Sequence, residues 1–315
     1  MSESEIECTY ATCSVKEDGQ IEYIPTLEGN IGYGGIFLFI LMLQVFFGVK
    51  YKTWGFMAGM TCGLLLEIVG YAGRVLLHDN VFEKNYFIIY LVGLTIAPAF
   101  LSASLYLCLG RIITLFGDRL SLLRPKIITW IFVCCDLLSL LLQSVGGAIT
   151  SISDDQEGSQ RGIDIMMAGL WSQVISLSIF IILCSHFAFN VLMNPSKVNP
   201  DTVALRQTIK FKCFLLAIGI ATLTIMIRST FRLAELQEGF SGHLANDEVL
   251  FMILEGPMII VAVAVLTIWH PGLVCGANTW KNTSFRNARK RGKSLAYKEM
   301  IYDDDNIAMV PVARH

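Results

Sequence analysis

The sequence predicts an all-α integral membrane protein built as a bundle of seven transmembrane helices. Of its 315 residues, 54% are hydrophobic and 16% are charged, and the mean hydropathy is +0.58. Apolar runs of about 20 residues recur along the chain, and a run of this length crosses the hydrocarbon core of a bilayer. We predict helices rather than strands because a helix satisfies all its backbone polar groups within one segment.

The seven predicted spans divide the chain into three regions. The spans cover residues 31–49, 54–75, 87–109, 127–149, 163–193, 211–227 and 249–268. The fifth span is longer than a membrane requires, so we expect it to tilt or to project from the bilayer. An extracellular N-terminal segment (1–30) precedes the bundle (31–272). A cytosolic tail (273–315) follows it, and we expect this polar tail to be disordered.

The distribution of basic residues predicts the orientation. Eighteen of the 24 lysines and arginines lie in the tail and in the connections on one side of the predicted bundle. The positive-inside rule places that side in the cytosol. With seven spans, the N-terminus is then outside and the C-terminus is in the cytosol. Cys8 and Cys13 fall on the oxidising outer side, where a disulfide is plausible; whether they pair is left open.

Ionisable and amide side chains within or at the ends of the spans are the candidate functional residues, because such groups are costly in a membrane unless they are paired or face water. Arg228, Arg232 and Glu235 follow an i, i+4, i+7 spacing, which places them on one helix face. The substrate-binding candidates are Glu67, Asp136, Gln143, Gln173 and Glu255, and the gating or ion-pair candidates are Arg74, Arg228, Arg232, Glu235 and Glu248.

These residues have two interpretations that the sequence leaves open. Placed on their helices, most of them fall in the outer half or the middle of the bundle, which predicts a polar cavity open toward the outside. The alternative is a buried ion-pair network that only fixes the helix register. Pro98 in the third span lacks a backbone N–H and so frees a carbonyl. That carbonyl would line a cavity, or the proline would simply kink the helix.

Several functional classes are disfavoured by the sequence. A phosphate-binding G-x-x-x-x-G-K-[ST] loop is missing, because Asn287 stands where the first glycine would precede Gly292 and Lys293. The five histidines show no ligand spacing, and no basic stripe suits nucleic acid. We therefore expect that the protein is not an enzyme and that it has no cofactor, no metal site and no nucleic-acid partner.

Several stretches together resemble the fungal RTA-like family of seven-span lipid-translocating exporters. They are EIVGYAGR (67–74), APA (97–99) with Tyr106 and Gly110-Arg111, the segment 136–147 from Asp136 to Gly147, GLWSQ (169–173), RSTFRLAE (228–235), Glu248, Pro257 and HPG (270–272), preceded by Cys8, Cys13 and Tyr23. Relatives are linked to aminocholesterol resistance, molasses resistance, sphingoid long-chain base release and porphyrin uptake. The resemblance implies seven spans, an outside N-terminus and a role in moving or tolerating amphipathic lipids.

The expected function is export or flipping of an amphipathic lipid or toxin, a sphingoid long-chain base or a sterol-like compound, contributing to drug resistance and stress response. In this hypothesis Glu67, Asp136 and Glu255 meet the amine of the ligand, and Arg74, Arg228 and Arg232 hold these acids when the site is empty. The alternative is a seven-span lipid sensor or receptor that acts through its cytosolic tail. We expect a multi-pass protein of the plasma membrane, with another secretory-pathway membrane as the alternative. Membrane lipids are the expected partners; homo-oligomers and a cytosolic partner of the tail are left open.

Overall fold

The described part of the chain forms seven long apolar spans in the computed structural model, the last of them made of more than one helix. The structure describes residues 10, 12–15, 19, 21–116, 121, 124–153, 155–194, 202–237, 242 and 246–282. In chain order the helices are α1 (Leu27–Tyr51), α2 (Trp54–Asp79), α3 (Lys84–Phe116), α4 (Pro125–Ile152), α5 (Gln156–Met193), α6 (Val203–Gln207), α7 (Ile209–Gln237), α8 (Glu248–Leu254), α9 (Gly256–Ile268) and α10 (Pro271–Asn282). Seven of the resulting segments are long and apolar enough to cross a membrane, which confirms the predicted fold class.

The last two spans differ most from the sequence prediction. The sixth was predicted to end at residue 227, whereas α7 continues ten residues further, to Gln237. The charged residues beyond Ile227 remain helical because they are buried and paired inside the bundle. The seventh span is interrupted at Glu255, between α8 and α9. Pro257 follows two residues later and lacks the N–H that would continue the helical hydrogen bonding.

Glycines allow α2 and α3 to pack with their backbones in contact. A Cβ added to Gly93 would lie 2.7 Å from the backbone nitrogen of Gly70 and 2.9 Å from the carbonyl oxygen of Leu66. Gly63 faces the carbonyl of Ala97 in the same way, at 3.2 Å. Small residues at such contacts are typical of helix pairs in membranes, where van der Waals packing replaces the hydrophobic effect.

The outer surface of the bundle is apolar and the polar residues point inward. Phe39, Phe46, Trp130, Leu141 and Ile182 are among many large hydrophobic side chains that are exposed on the helices. The buried polar and charged residues include most of the candidates from the sequence. In soluble proteins the apolar side chains are mostly buried and the polar ones exposed. The opposite distribution seen here suits a protein surrounded by lipid.

The residues that directly follow the predicted bundle are helical and contact it. They form α10, which has a kink at Gly276, and the backbone carbonyl of Trp280 accepts a 2.6 Å hydrogen bond from Arg111 of α3. The Arg111 guanidinium also lies over the Trp280 ring, 4.1 Å from its centroid. These contacts attach the beginning of the tail to the bundle. Residues 283–315 lie outside the described residues.

Candidate functional site

Four charged residues of the last two spans form a buried cluster. On α7, Arg228, Arg232 and Glu235 share one face, as their spacing predicts, and all three are buried. Glu255 lies opposite them at the break between α8 and α9. Its Oε1 accepts hydrogen bonds from Arg228 and from Arg232, the latter at 3.1 Å. Arg232 also donates to Glu235 at 2.9 Å. One carboxylate thus receives two guanidinium groups, and Arg232 connects it to the second carboxylate.

A proline explains the third contact of this cluster. In an α-helix the N–H of residue 98 would donate to the carbonyl of residue 94, but Pro98 has no N–H. The carbonyl oxygen of Leu94 instead accepts a 2.5 Å hydrogen bond from Arg228. α3 continues through Pro98. The freed carbonyl therefore becomes part of the polar site, as one of the two sequence interpretations expected.

Arg74 occupies a separate, largely aromatic site. Its guanidinium lies 3.9 Å from the ring centroid of Phe251 and 5.0 Å from that of Tyr90. It donates to the side-chain oxygen of Asn30 and to the hydroxyl of Tyr23, each at 3.1 Å. Among the described residues, the carboxylate that pairs with it is that of Glu248, at 4.0 Å. The structure therefore pairs Arg74 with Glu248, and places neither beside the three acids that the hypothesis assigned to the amine.

The N-terminal segment lies across the ends of α2 and α8. Tyr23 reaches Arg74, the backbone N–H of Thr26 donates to Glu248 at 2.5 Å, and that of Glu22 donates to Asn246 at 3.1 Å. Burial raises the pKa of Tyr23 to about 12, an effect that the neighbouring Arg74 opposes. Because its phenol stays protonated, the Tyr23 hydroxyl group is retained at this contact at neutral pH.

A polar cavity lies between α3, α4, α5 and α7, under the N-terminal segment. Its volume, counted as the space open to the centre of a water molecule, is about 50 Å³. Five of the sequence candidates line it: Gln143, Gln173, Arg228, Arg232 and Glu235. The amide of Gln143 donates to that of Gln173 at 3.3 Å. Ile21 of the N-terminal segment also lines the cavity, together with apolar residues of α3 and α5.

Comparison with known proteins agrees with this architecture. The family model described as "RTA1 like protein" matches residues 60–278. The chain belongs to the RTA1-like family. The sphingoid long-chain base transporter RSB1 of Saccharomyces cerevisiae is 33% identical over 277 residues, which cover 79% of this chain and 72% of the relative.

Two further relatives from Saccharomyces cerevisiae belong with the same family. Protein RTA1 is 30% identical over 210 residues, covering 66% of this chain and 63% of the relative. Protein RTM1 is 30% identical over 207 residues, covering 65% and 64%. No solved structure matches the chain significantly. The residues that the family model matches include the charged candidates of the spans from Glu67 to Glu255.

Asp136 forms a second polar site among aromatic rings. Tyr106 of α3 donates to its Oδ2 at 2.9 Å, and Oδ1 has no hydrogen-bond partner among the described residues. The Tyr106 ring packs against Phe132 and Phe180, with centroids 5.3 and 4.7 Å away. Asp136 is buried and is not among the residues that line the polar cavity.

Glu67 of α2 lies behind the charged cluster. It is buried, and its Oε1 has no hydrogen-bond partner among the described residues. Arg228, Glu255 and Arg232 are the charged groups that act on it electrostatically. Like Asp136 and Glu255, it does not line the cavity. The three acids that the hypothesis assigned to the amine therefore lie apart. Glu255 belongs to the cluster, Glu67 lies behind it and Asp136 lies beside Tyr106.

Sequence reasoning missed several residues of the site. The ring centroid of Phe251 lies 3.9 Å from the Arg74 guanidinium and 5.8 Å from that of Arg232, so this side chain is close to both basic groups. Its position in the sequence between Glu248 and Glu255, two of the candidate residues, could have indicated that Phe251 is part of the site. Ile21 carried no signal, since nothing in a sequence shows that a segment before the first span folds back over the bundle. Tyr106 was noted only as part of the family resemblance.

The disulfide prediction falls partly outside the described residues. Cys13 is disulfide-bonded. Cys8, the expected partner, lies outside the described residues, so the pairing stays a prediction. Seven other cysteines carry free thiols. A clustering of at least three potential metal-ligating side chains is not found in the described part of the chain.

Proposed function

We propose that this RTA1-like protein moves a cationic amphipathic lipid of the sphingoid long-chain base class across the plasma membrane and thereby contributes to resistance. The observation that carries the proposal is the cavity inside an apolar bundle, whose lining combines apolar side chains with two amides, two guanidinium groups and a carboxylate. The name of the relative RSB1, a sphingoid long-chain base transporter, supports the same substrate class. We propose a transport role rather than an enzymatic one.

The charges around the cavity favour a cationic head group. Glu67, Glu235 and Glu255 stand near two arginines, Arg228 and Arg232. With all five ionised, the charged cluster and Glu67 together carry one excess negative charge in a poorly solvated place, which is costly. An ammonium group would balance it, as would a proton. The amides of Gln143 and Gln173 offer donors and acceptors to the hydroxyl groups of a sphingoid base.

Exchange of ion-pair partners is the proposed switch. Glu235 lines the cavity and is held by Arg232, so an incoming ammonium would compete with Arg232 for this carboxylate. If Arg232 moves, its contact with Glu255 is lost as well, because both contacts use the same guanidinium group. Glu255 and Glu67 would then become available to the ligand. Asp136 would serve a separate position on the path.

The size of the cavity implies that binding requires a conformational change. A volume of 50 Å³ accommodates a few water molecules, whereas ligand pockets span roughly 300–1,000 Å³. The described conformation is therefore closed around the charged cluster. We propose that it is the resting state, in which the arginines hold the acids. In our orientation the N-terminal segment covers the extracellular end, and the tail after the bundle faces the cytosol.

The test is movement of sphingosine with a fluorophore at the end of its chain in phosphatidylcholine vesicles that contain the purified protein. We expect protein-dependent movement that Glu235→Gln and Asp136→Asn slow strongly. Glu157→Gln is the matched control, because Glu157 pairs with Arg161 on the exposed start of α5. Absence of movement by the wild-type protein would refute the transport proposal. Binding without movement would favour the alternative, a lipid sensor that acts through its tail.

A further inference from the structure

A wide apolar groove opens on the lipid-facing side of the bundle between α3 and α4. Its volume, counted in the same way as for the polar cavity, is about 410 Å³. Ile88, Val92 and Ile96 form the α3 wall, while Leu140 and Ala148 contribute to the α4 wall. Val92 and Ala148 are exposed, so the groove faces the surrounding lipid rather than the interior.

The groove adjoins the polar cavity. Leu91, Thr95, Gln143 and Met166 line both and so form the boundary that they share. Gln143 is 3% exposed, and its Oε1 has no hydrogen-bond partner among the described residues. An unsatisfied buried acceptor therefore lies at the junction of an apolar groove and a charged cavity. Buried polar groups are rarely left unpaired unless another molecule completes them.

The other approach to the cavity is covered. Ile21 of the N-terminal segment lines it, and that segment is fixed to α2 and α8 through Tyr23 and Thr26. A lipid entering from water past this segment would expose its hydrocarbon chain to water. A lipid entering from the side would keep its chain in apolar surroundings throughout.

We propose that the groove between α3 and α4 is the lateral entrance for the substrate, with the hydrocarbon chain of a single-chain lipid in the groove and its hydroxyl-bearing head at Gln143. This inference rests on the proposed function for the class of substrate. The groove volume lies within the roughly 300–1,000 Å³ range of ligand pockets. The acceptor at Gln143 Oε1 takes a hydrogen bond from the lipid head, and Thr95 lies at the same junction.

Gly147 provides a way to block the groove without disturbing the helix packing. A Cβ at this position would meet only the sulfur of Met166, at 3.9 Å. Its neighbour Gly146 is unsuitable, because a Cβ there would lie 2.6 Å from the backbone of Gly162. Gly35 on α1 is the matched control, since it is exposed and a Cβ there meets nothing within 4 Å.

The experiment uses sphingosine that carries a photoactivatable diazirine on its chain, in phosphatidylcholine vesicles with the full chain. Cross-linked peptides are identified by mass spectrometry, and lipid movement is measured in the same vesicles. We expect cross-links in the α3 and α4 segments that line the groove. Gly147→Phe should reduce both cross-linking there and movement about tenfold, because its ring occupies the space of the lipid chain, whereas Gly35→Phe should leave both within about twofold.

A second groove variant keeps the inference testable if Gly147→Phe fails to fold. Val92→Trp fills the groove from the α3 wall at an exposed position and should have the same effect. Cross-links spread evenly over all spans, or movement unchanged by both folded variants, would overturn the lateral entrance. Groove cross-links in a wild-type protein that moves no sphingosine would instead refute the transport proposal and leave the groove as a lipid-binding site.

Discussion

Glu255→Gln is the most informative single change in the charged cluster. The side chains of Arg228 and Glu255 are 3% and 1% exposed. The substitution removes the charge that both Arg228 and Arg232 contact, and keeps the size of the side chain. Breaking a buried ion pair by removing one partner destabilises a protein by about 3–5 kcal/mol, because an uncompensated charge stays buried. Here Glu235 still faces Arg232 and Glu67 remains close to Arg228, so we expect the lower part of that range, about 3 kcal/mol.

A double-mutant cycle separates the ion pair from other effects of the substitutions. Arg228→Gln alone should also destabilise the fold, because it leaves the carbonyl of Leu94 without its donor. The double variant Glu255→Gln, Arg228→Gln removes one charge of each sign. It should therefore be less destabilised than the sum of the two single variants, by a coupling energy of about 0.5–3 kcal/mol.

The assay is reversible unfolding of the purified protein by titration with sodium dodecyl sulfate in mixed micelles, followed by the loss of helical circular dichroism. Glu157→Gln serves again as the control, because Glu157 is exposed and such pairs contribute roughly 0–1 kcal/mol. If Glu255→Gln changed the unfolding free energy by less than the control, or if the two single effects were simply additive, the cluster would not be the coupled ion-pair network described above.

Three further predictions concern packing and the N-terminal segment. Gly93→Ala should lower the folded yield and cost roughly 1–3 kcal/mol of unfolding free energy, because its Cβ meets the backbone of Gly70. Gly32→Ala has open space around its Cβ and should be neutral or stabilising. Fluorescence-detected size exclusion measures the folded yield of both variants. Arg74→Lys should increase proteolysis of the N-terminal segment, since lysine lacks the planar fork that binds Tyr23 and Asn30 together. Tyr23 should titrate near pH 12, measured as the tyrosinate absorbance of the wild-type protein minus that of Tyr23→Phe. The stability that Tyr23 contributes should therefore persist below pH 10 and be lost as the pH rises toward 12. Titration at the ordinary pKa near 10 would contradict its burial.

The fold was predictable because the membrane imposes the simplest of sequence signals. Runs of about 20 apolar residues identify the spans irrespective of how they pack. The errors arose where charge interrupts that signal. The predicted sixth span ends at residue 227 because Arg228 follows, but the helix continues to Gln237 since Glu255 and Glu235 together neutralise Arg228 and Arg232. Local hydropathy contains no information about a partner on another helix.

Helical spacing predicts which site residues share a helix face, whereas the contacts between helices could be known only from the fold. The shared face of Arg228, Arg232 and Glu235 is a local property, so sequence alone identified it. Which acid those arginines contact depends on helix packing, and the structure selects Glu255 while Arg74 pairs with Glu248. The cap formed by the segment around Ile21 and Tyr23 is a long-range contact without periodicity, so no pattern could have revealed it.

The position of Phe251 near both arginine sites bears on the proposed switch. The guanidinium groups of Arg74 and Arg232 lie 3.9 and 5.8 Å from the centroid of this ring. If an ammonium displaced Arg232 from Glu235, the guanidinium would change its contact with Phe251, which belongs to α8. α8 also carries Glu248, whose carboxylate contacts the backbone of Thr26. Movement of Arg232 in the cavity is thereby mechanically linked to the N-terminal segment, so release of that segment should accompany substrate binding.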